Sequence, residues 1–257
     1  MRTLIILLVS VLPMAAVAQS AQDIANRASA AFYYAGGDGR ANVSMKISGR
    51  GGNRARDMVI LRRTTGGVNG KQQFYVHFSR PADVNDTSFL VWKNPRASDD
   101  RWLYLPALDV VRRIASSDER TSFVGSHFFY EDVSGRSPTE DTHTLIETTG
   151  DFFVLESTPK SRSGVEFAKY RMWIHRGTYL PTKAEYYDRS GNLYRTFEAL
   201  KVQTIQGVPT ITQARMTDKA MGGATTISYS RVRYNVGLPG DVFTERSLRA
   251  APEQFLQ

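Results

Sequence analysis

Residues 99–136 read DDRWLYLPALDVVRRIASSDERTSFVGSHFFYEDVSGR, a stretch that combines strand, turn and aromatic signals with no recognisable catalytic group. Residues 101–105 predict a strand that ends at Pro106, which cannot donate to a ladder, and residues 110–114 predict its partner. Residues 117–137 lose the two-residue period and contain Gly125 and Gly135, so they predict a loop with a short helix that crosses a sheet. Trp102, Tyr104 and Leu108 stand among Arg101, Asp109, Arg112 and Arg113, and Phe123, Phe128, Phe129 and Tyr130 follow. Such apolar bulk is either buried or covers something bound.

Outward from this stretch the period of two dominates. Val43, Met45 and Ile47 alternate with polar neighbours, as do Met58 and Ile60, and then Phe74, Val76 and Phe78. Residues 87–93 add another strand. After Pro138 the pattern resumes at residues 142–149, 152–158, 165–175, 182–188, 193–203, 210–218 and 224–235, with Gly150-Asp151, Ser190-Gly191-Asn192, Gln206-Gly207 and Gly222-Gly223 as intervening turns. Residues 20–34 predict a helix: Ser20 caps it, Asp23 suits its first turn, and the glycines from Gly36 stop it. A short helix is expected near residues 242–248. The fold class is therefore mainly β with few helices. So many consecutively paired strands curl toward a barrel or partial barrel, whose edges the helices and the long loop cover.

The first residues predict export. Arg2 supplies a positive start, residues 4–12 an apolar run and Ala16-Val17-Ala18 a small-residue cleavage site, so residues 1–18 read as a cleaved secretory signal peptide. Residues 19–257 then form one domain, a length that all-β folds commonly reach. The apolar run is far short of the ~20 residues of a spanning helix, and Pro13 interrupts it. No cysteine is present to carry a lipid or form a disulfide. A soluble protein of the periplasm is expected. The net charge of +8 falls by one, to +7, without Arg2, which favours an anionic membrane surface or acidic partner and makes nucleic acid an improbable one in that compartment. Arginines such as Arg54, Arg56, Arg62, Arg63, Arg112, Arg113, Arg231 and Arg233 read mostly as solvated strand faces.

Catalytic signatures are missing. His77, His127, His143 and His175 are scattered without ligand spacing, and no nucleophile elbow or phosphate loop occurs, so neither an enzyme nor a cofactor or metal is expected. The adjacent acids Asp99-Asp100, Glu131-Asp132 and Glu140-Asp141 do not form an opposed carboxylate pair, because neighbouring strand residues point to opposite faces. They read as solvated loop residues.

Trp102-Leu103-Tyr104-Leu105-Pro106-Ala107-Leu108, then Val111-Arg112-Arg113-Ile114, Ser122-Phe123-Val124-Gly125-Ser126 and Tyr130-Glu131-Asp132 carry a resemblance over nearly the whole mature chain. The chain resembles the outer-membrane lipoprotein-sorting, LolA-like proteins, most of all the branch that accompanies transporters of the RND superfamily. The resemblance implies an incomplete antiparallel β-barrel, or half-barrel, covered by helices and a long loop, with an apolar cavity for acyl chains. It implies a periplasmic carrier or chaperone of lipid or lipoprotein acyl chains between an inner-membrane RND transporter and the outer membrane. A non-transporting docking module of such a transporter complex is the alternative. The apolar strand faces predict the cavity lining: Met45, Ile47, Met58, Ile60, Phe74, Val76, Phe78, Leu90, Trp92, Leu103, Leu105, Phe153, Leu155, Tyr170, Met172 and Ile174. Phe123, Phe128 and Phe129 are the candidate lid.

Overall fold

A computed structural model describes residues 19–257 except 68 and 96, and the predicted signal peptide, residues 1–18, lies outside the described residues. Alternation of apolar and polar residues produces thirteen antiparallel strands. The first six are β1 (Asp38–Gly49), β2 (Arg54–Thr65), β3 (Lys71–Arg80), β4 (Ser88–Lys93), β5 (Asp100–Leu105) and β6 (Val110–Arg113). The second meander comprises β7 (Asp141–Thr148), β8 (Phe152–Pro159), β9 (Lys169–His175), β10 (Pro181–Tyr187), β11 (Leu193–Ile205), β12 (Val208–Asp218) and β13 (Gly223–Tyr234).

The strands form one sheet in the order β6-β5-β4-β3-β2-β1-β13-β12-β11-β10-β9-β8-β7. Every neighbouring pair but one is a sequential hairpin partner. The exception is β1 with β13, paired from Gly39↔Tyr234 to Gly49↔Gly223, which welds the two meanders at the centre. β6 and β7 consequently occupy opposite edges although they follow one another in sequence, and the sheet remains an open half-barrel. The segment between them must span that opening. It carries a short helix, α2 (Tyr130–Ser134), and acts as a strap across the concave side.

Both faces of β2 to β5 carry buried residues. Inward residues of β1 to β5, including Met45, Met58, Phe74, Val76, Phe78, Phe89 and Leu103, join Phe123, Phe128 and Tyr130 of the strap in the main core. On the outer face Val59, Leu61, Tyr75, Leu90 and Trp102 are covered by Leu238, Val242, Phe243 and Leu248. The C-terminal cover consists of a 3-10 turn at Gly240–Phe243 and α3 (Glu245–Arg249), slightly later than the helix expected from sequence. Tyr75 donates from its hydroxyl to Ser247 O at 2.8 Å, and Trp92 from its indole to Phe243 O at 2.8 Å, so the cover is fixed by polar as well as apolar contacts.

Helix α1 (Ala21–Tyr33) begins as the sequence predicts: the Asp23 N–H donates to the side chain of Ser20 at 3.0 Å. Ile24, Ala25 and Ala28 pack on Leu155 and Ile174 of β8 and β9. The strand predicted at residues 165–175 starts only at Lys169, because Val165 and Phe167 turn instead into a cluster with Tyr170.

Candidate functional site

Between α1, the strap and the concave sheet lies a cavity of about 290 Å³. Its apolar walls come from both meanders: Met45, Ile60 and Phe74 on one side, Phe197, Met216 and Ile227 on the other. Ala31 and Phe32 of α1 form part of its cover, and Phe123 and Phe128 of the strap close it toward the first meander.

The predicted lining divides according to strand register. Met45, Ile60, Phe74, Tyr170 and Met172 border the cavity. Ile47, Met58, Val76, Phe78, Leu103 and Leu105 share the concave face, but the strap aromatics fill the space before them. Phe153, Leu155 and Ile174 lie beneath α1. Leu90 and Trp92 are corrected to the opposite face: β4 turns Phe89 and Val91 inward, so its alternate residues meet the C-terminal cover. Of the candidate lid, Phe123 is 1% exposed and packs on Phe78, Phe89 and Tyr130 with centroid distances of 5.7, 5.4 and 5.4 Å. Phe128 borders the cavity, whereas Phe129 lies against the Arg195 guanidinium, 3.8 Å from its ring centroid.

One end of the cavity is charged, which the sequence reading missed. The Glu131-Asp132 pair, expected in solvent, is a buried anchor. Glu131 is 3% exposed and receives hydrogen bonds from Arg120 and, at 3.1 Å, from Arg136. Arg120 also makes two bonds of 2.7 Å to Glu166, and Arg136 holds Asp141 at 3.1 Å and Glu140 at 2.8 Å. Arg195, fully buried on β11, donates to Asp132 and, at 3.0 Å, to His127 O. Burial pushes the Glu131 carboxyl up, but Arg120 and Arg136 together outweigh it and leave it below the ordinary carboxylate range. Arg56 and Arg62 are likewise not solvated: Arg56 is 6% exposed, and inward-facing Arg62 donates to the main-chain oxygen of Ala35, just beyond α1.

Tyr33, Tyr186 and Tyr229 line the same cavity, alongside Tyr170 and Tyr234. Tyr33 ends α1, and Tyr186 and Tyr229 follow Ala184 and Ile227 in the inward phase of β10 and β13. That phase was the available signal, as it was for Phe197 and Met216, none of which the predicted lining included. A second, polar cavity of about 410 Å³ lies beyond the strap, lined by Lys93, Asp99, Arg101, Glu119 and Glu140 among others. Burial lowers the pKa of Lys93, whose ammonium donates to Gly135 O, and raises those of Glu119 and Glu140. Among the described residues no group of three or more His, Cys, Asp or Glu is placed to hold a metal, and no helix is long and apolar enough to cross a membrane.

An open half-barrel, strapped across its concave side over an apolar cavity, defines the class of protein. A family model described as "-like: Uncharacterized protein" matches residues 70–250. Among solved structures, a DUF1329 family protein from Desulfovibrio piger is 30% identical, with a TM-score of 0.81 over 89% of this chain and 97% of that one. One from Vibrio parahaemolyticus, described as an outer membrane lipoprotein-sorting protein domain, is 29% identical, with a TM-score of 0.80 over 89% of this chain and 98% of that one. A LolA superfamily protein from Nitrosomonas europaea, 22% identical, shares the fold with a TM-score of 0.68 over 89% of this chain and 99% of its own. No curated protein matches. The chain belongs to the family of the DUF1329 protein of D. piger, and it is similar in fold to the lipoprotein-sorting domain of V. parahaemolyticus and the LolA superfamily protein of N. europaea.

Proposed function

We propose that residues 19–257 form a periplasmic carrier, released by cleavage after residue 18, that holds an acyl chain of a lipid or lipoprotein in the cavity beneath α1 and the strap. The cavity carries this reading: about 290 Å³ of space remains between apolar walls after the strap has filled the rest of the concave face. A docking module would need no such space. The volume lies just below the roughly 300–1000 Å³ range of small-molecule sites, which suits one chain better than several.

Each buried methylene contributes about 0.8 kcal/mol, so about ten contribute roughly 8 kcal/mol before ordering costs, which sets micromolar as the upper limit of their affinity and leaves handover open. The cargo comes from an inner-membrane transporter of the RND superfamily and passes toward the outer membrane, with the basic surface assisting approach to anionic lipid. No covalent step is required. Native mass spectrometry and lipid extraction after gentle purification should find acyl lipid bound at one per chain. Protein that is consistently empty and fails to take up fatty-acyl probes would refute the carrier reading.

A further inference from the structure

Arg62 is a cation in the cavity wall that the fold leaves without an acid. One row of the concave face crosses four strands: Phe74 of β3, Arg62 of β2, Gly39 of β1 and Tyr234 of β13 are successive cross-strand partners, and all four line the cavity. The phase of β2 turns Arg62 inward with Met58 and Ile60, while Val59 and Leu61 meet the C-terminal cover. Gly39 makes room for the guanidinium, since a Cβ there would stand 3.8 Å from Arg62 Nη2 and only 3.1 Å from Arg233 O. Arg62 is half-buried and bonds to neutral oxygens alone: it donates to Ala35 O, to Thr64 Oγ1 at 3.2 Å and to Gly36 O at 3.5 Å. No carboxylate pairs with it among the described residues. Asp38, next to Gly39, has its two oxygens taken by the N–H groups of Val236 and Leu238 at 2.6 and 2.8 Å. Burial pulls the Arg62 pKa down, and Tyr234, Asp38 and Tyr34 offset this only in part.

The other arginines of the wall are placed differently. Arg120 and Arg136 are bound to Glu131, Glu166, Glu140 and Asp141. Arg40 and Arg233 form a cross-strand pair one residue out of phase with Gly39 and Tyr234, and so turn to the outer face, where Arg40 donates to Phe255 O at 2.9 Å and Leu256 O at 2.8 Å. An uncharged occupant of the cavity would leave Arg62 with its neutral oxygens only. An anion set against it adds the charge-assisted hydrogen bonds that a guanidinium fork makes with carboxylate or phosphate. Resting on the carrier reading above, we infer that Arg62 receives the anionic head of the cargo, a fatty-acid carboxylate or a lipid phosphate, while the acyl chain lies along the apolar wall.

Displacement of a bound apolar fluorophore by laurate, dodecyl phosphate and the neutral 1-monolauroylglycerol, at a pH where laurate is ionised, tests the site. One hydrogen bond to a charged group corresponds to a preference of about tenfold or more, so the wild type should bind at least one of the two anions that much more tightly than the glycerol ester. The tighter anion identifies the head as carboxylate or phosphate. Arg62→Gln should lose most of the preference, and Arg62→Lys should keep part of it. Gly39→Asp leaves the arginine in place but sets a carboxylate beside it, and should lose the preference as well. Arg63→Gln removes the same unit of charge from the outward phase of β2 and should leave the preference intact. A loss as large in Arg63→Gln would trace the effect to overall charge and overturn the site. Equal binding of ester and anions by the wild type, or a preference that survives in both Arg62→Gln and Gly39→Asp, overturns it too and leaves the carrier reading standing. If none of the three probes binds, the carrier reading falls and the site with it.

Discussion

Arg120 illustrates why these charges were taken out of water. Its guanidinium is 4% exposed, bonded to Glu131 and Glu166, and stacked 4.8 Å above the Phe167 ring centroid, so strap, α2 and the β8–β9 connection share one ion. Replacing it leaves the buried Glu131 with Arg136 alone and Glu166 with only the Tyr194 hydroxyl among the described residues. Arg120→Met should therefore cost about 3–5 kcal/mol in urea unfolding, whereas Arg113→Ala, which breaks the exposed pair with Asp100, should cost less than about 1 kcal/mol. Equal midpoints for the two variants would show that the buried network does not hold the fold. His127, 4% exposed and 2.9 Å from Thr225 Oγ1 through Nδ1, supplies a pH dependence. Burial lowers its pKa, Arg195 and Arg54 add to the effect, and Asp218 opposes it. The unfolded chain thus binds the proton more readily, and stability present above pH ~6.5 is lost as the pH falls through that value toward the folded pKa. Glu119 and Glu140, both raised, act in the opposite sense at lower pH, so the readout is the difference between variant and wild type. His127→Gln should flatten the fall between pH 7 and 5, leaving the part due to His77, whose pKa burial also lowers. A slope unchanged in the variant assigns the dependence elsewhere.

At the scale of elements the strap is a structural member as well as a cover. Gly135, with φ of 78° and ψ of 150°, ends α2 in a conformation open almost only to glycine, and a Cβ there would overlap the Tyr33 ring of α1. Gly135→Ala should cost about 1–3 kcal/mol from backbone strain, with the overlap in addition, and thermal unfolding would measure it. Phe123→Ala should cost about 3–5 kcal/mol, because the ring fills the core between β3, β4 and α2. If Phe123→Ala keeps wild-type stability and only weakens ligand retention, the residue is a lid and not a core member. The strands themselves were legible, because inward and outward residues alternate at Val43-Ser44-Met45-Lys46-Ile47 as one buried face requires. Their faces were harder to read. In β3 and β4 both faces are apolar, and nothing local says that Leu90 and Trp92 will meet a C-terminal segment some 150 residues later.

The same limit applies to the whole molecule. The β1–β13 pairing joins residues nearly 200 positions apart, and the cavity exists only because that pairing brings β10–β13 opposite β1–β3. The fold class was readable from strand count and resemblance, but the charged end and the phenols draw on α1, the strap, β10, β11 and β13, no two of which announce each other in sequence. Function then rests on the space between the meanders, which can be removed without touching their pairing. Ala31 projects from α1 into the cavity, so Ala31→Trp should fill much of it at an overpacking cost of about 1–3 kcal/mol. The variant should remain folded yet fail to displace an apolar fluorophore. A bound acyl ligand stabilises the wild type by about 2.7 kcal/mol at a hundred times its Kd, so monolauroylglycerol should raise the wild-type melting temperature and leave that of Ala31→Trp unmoved. Were both proteins to respond alike, the ligand would sit outside this cavity, and the space between the meanders would be a packing defect instead of a binding site.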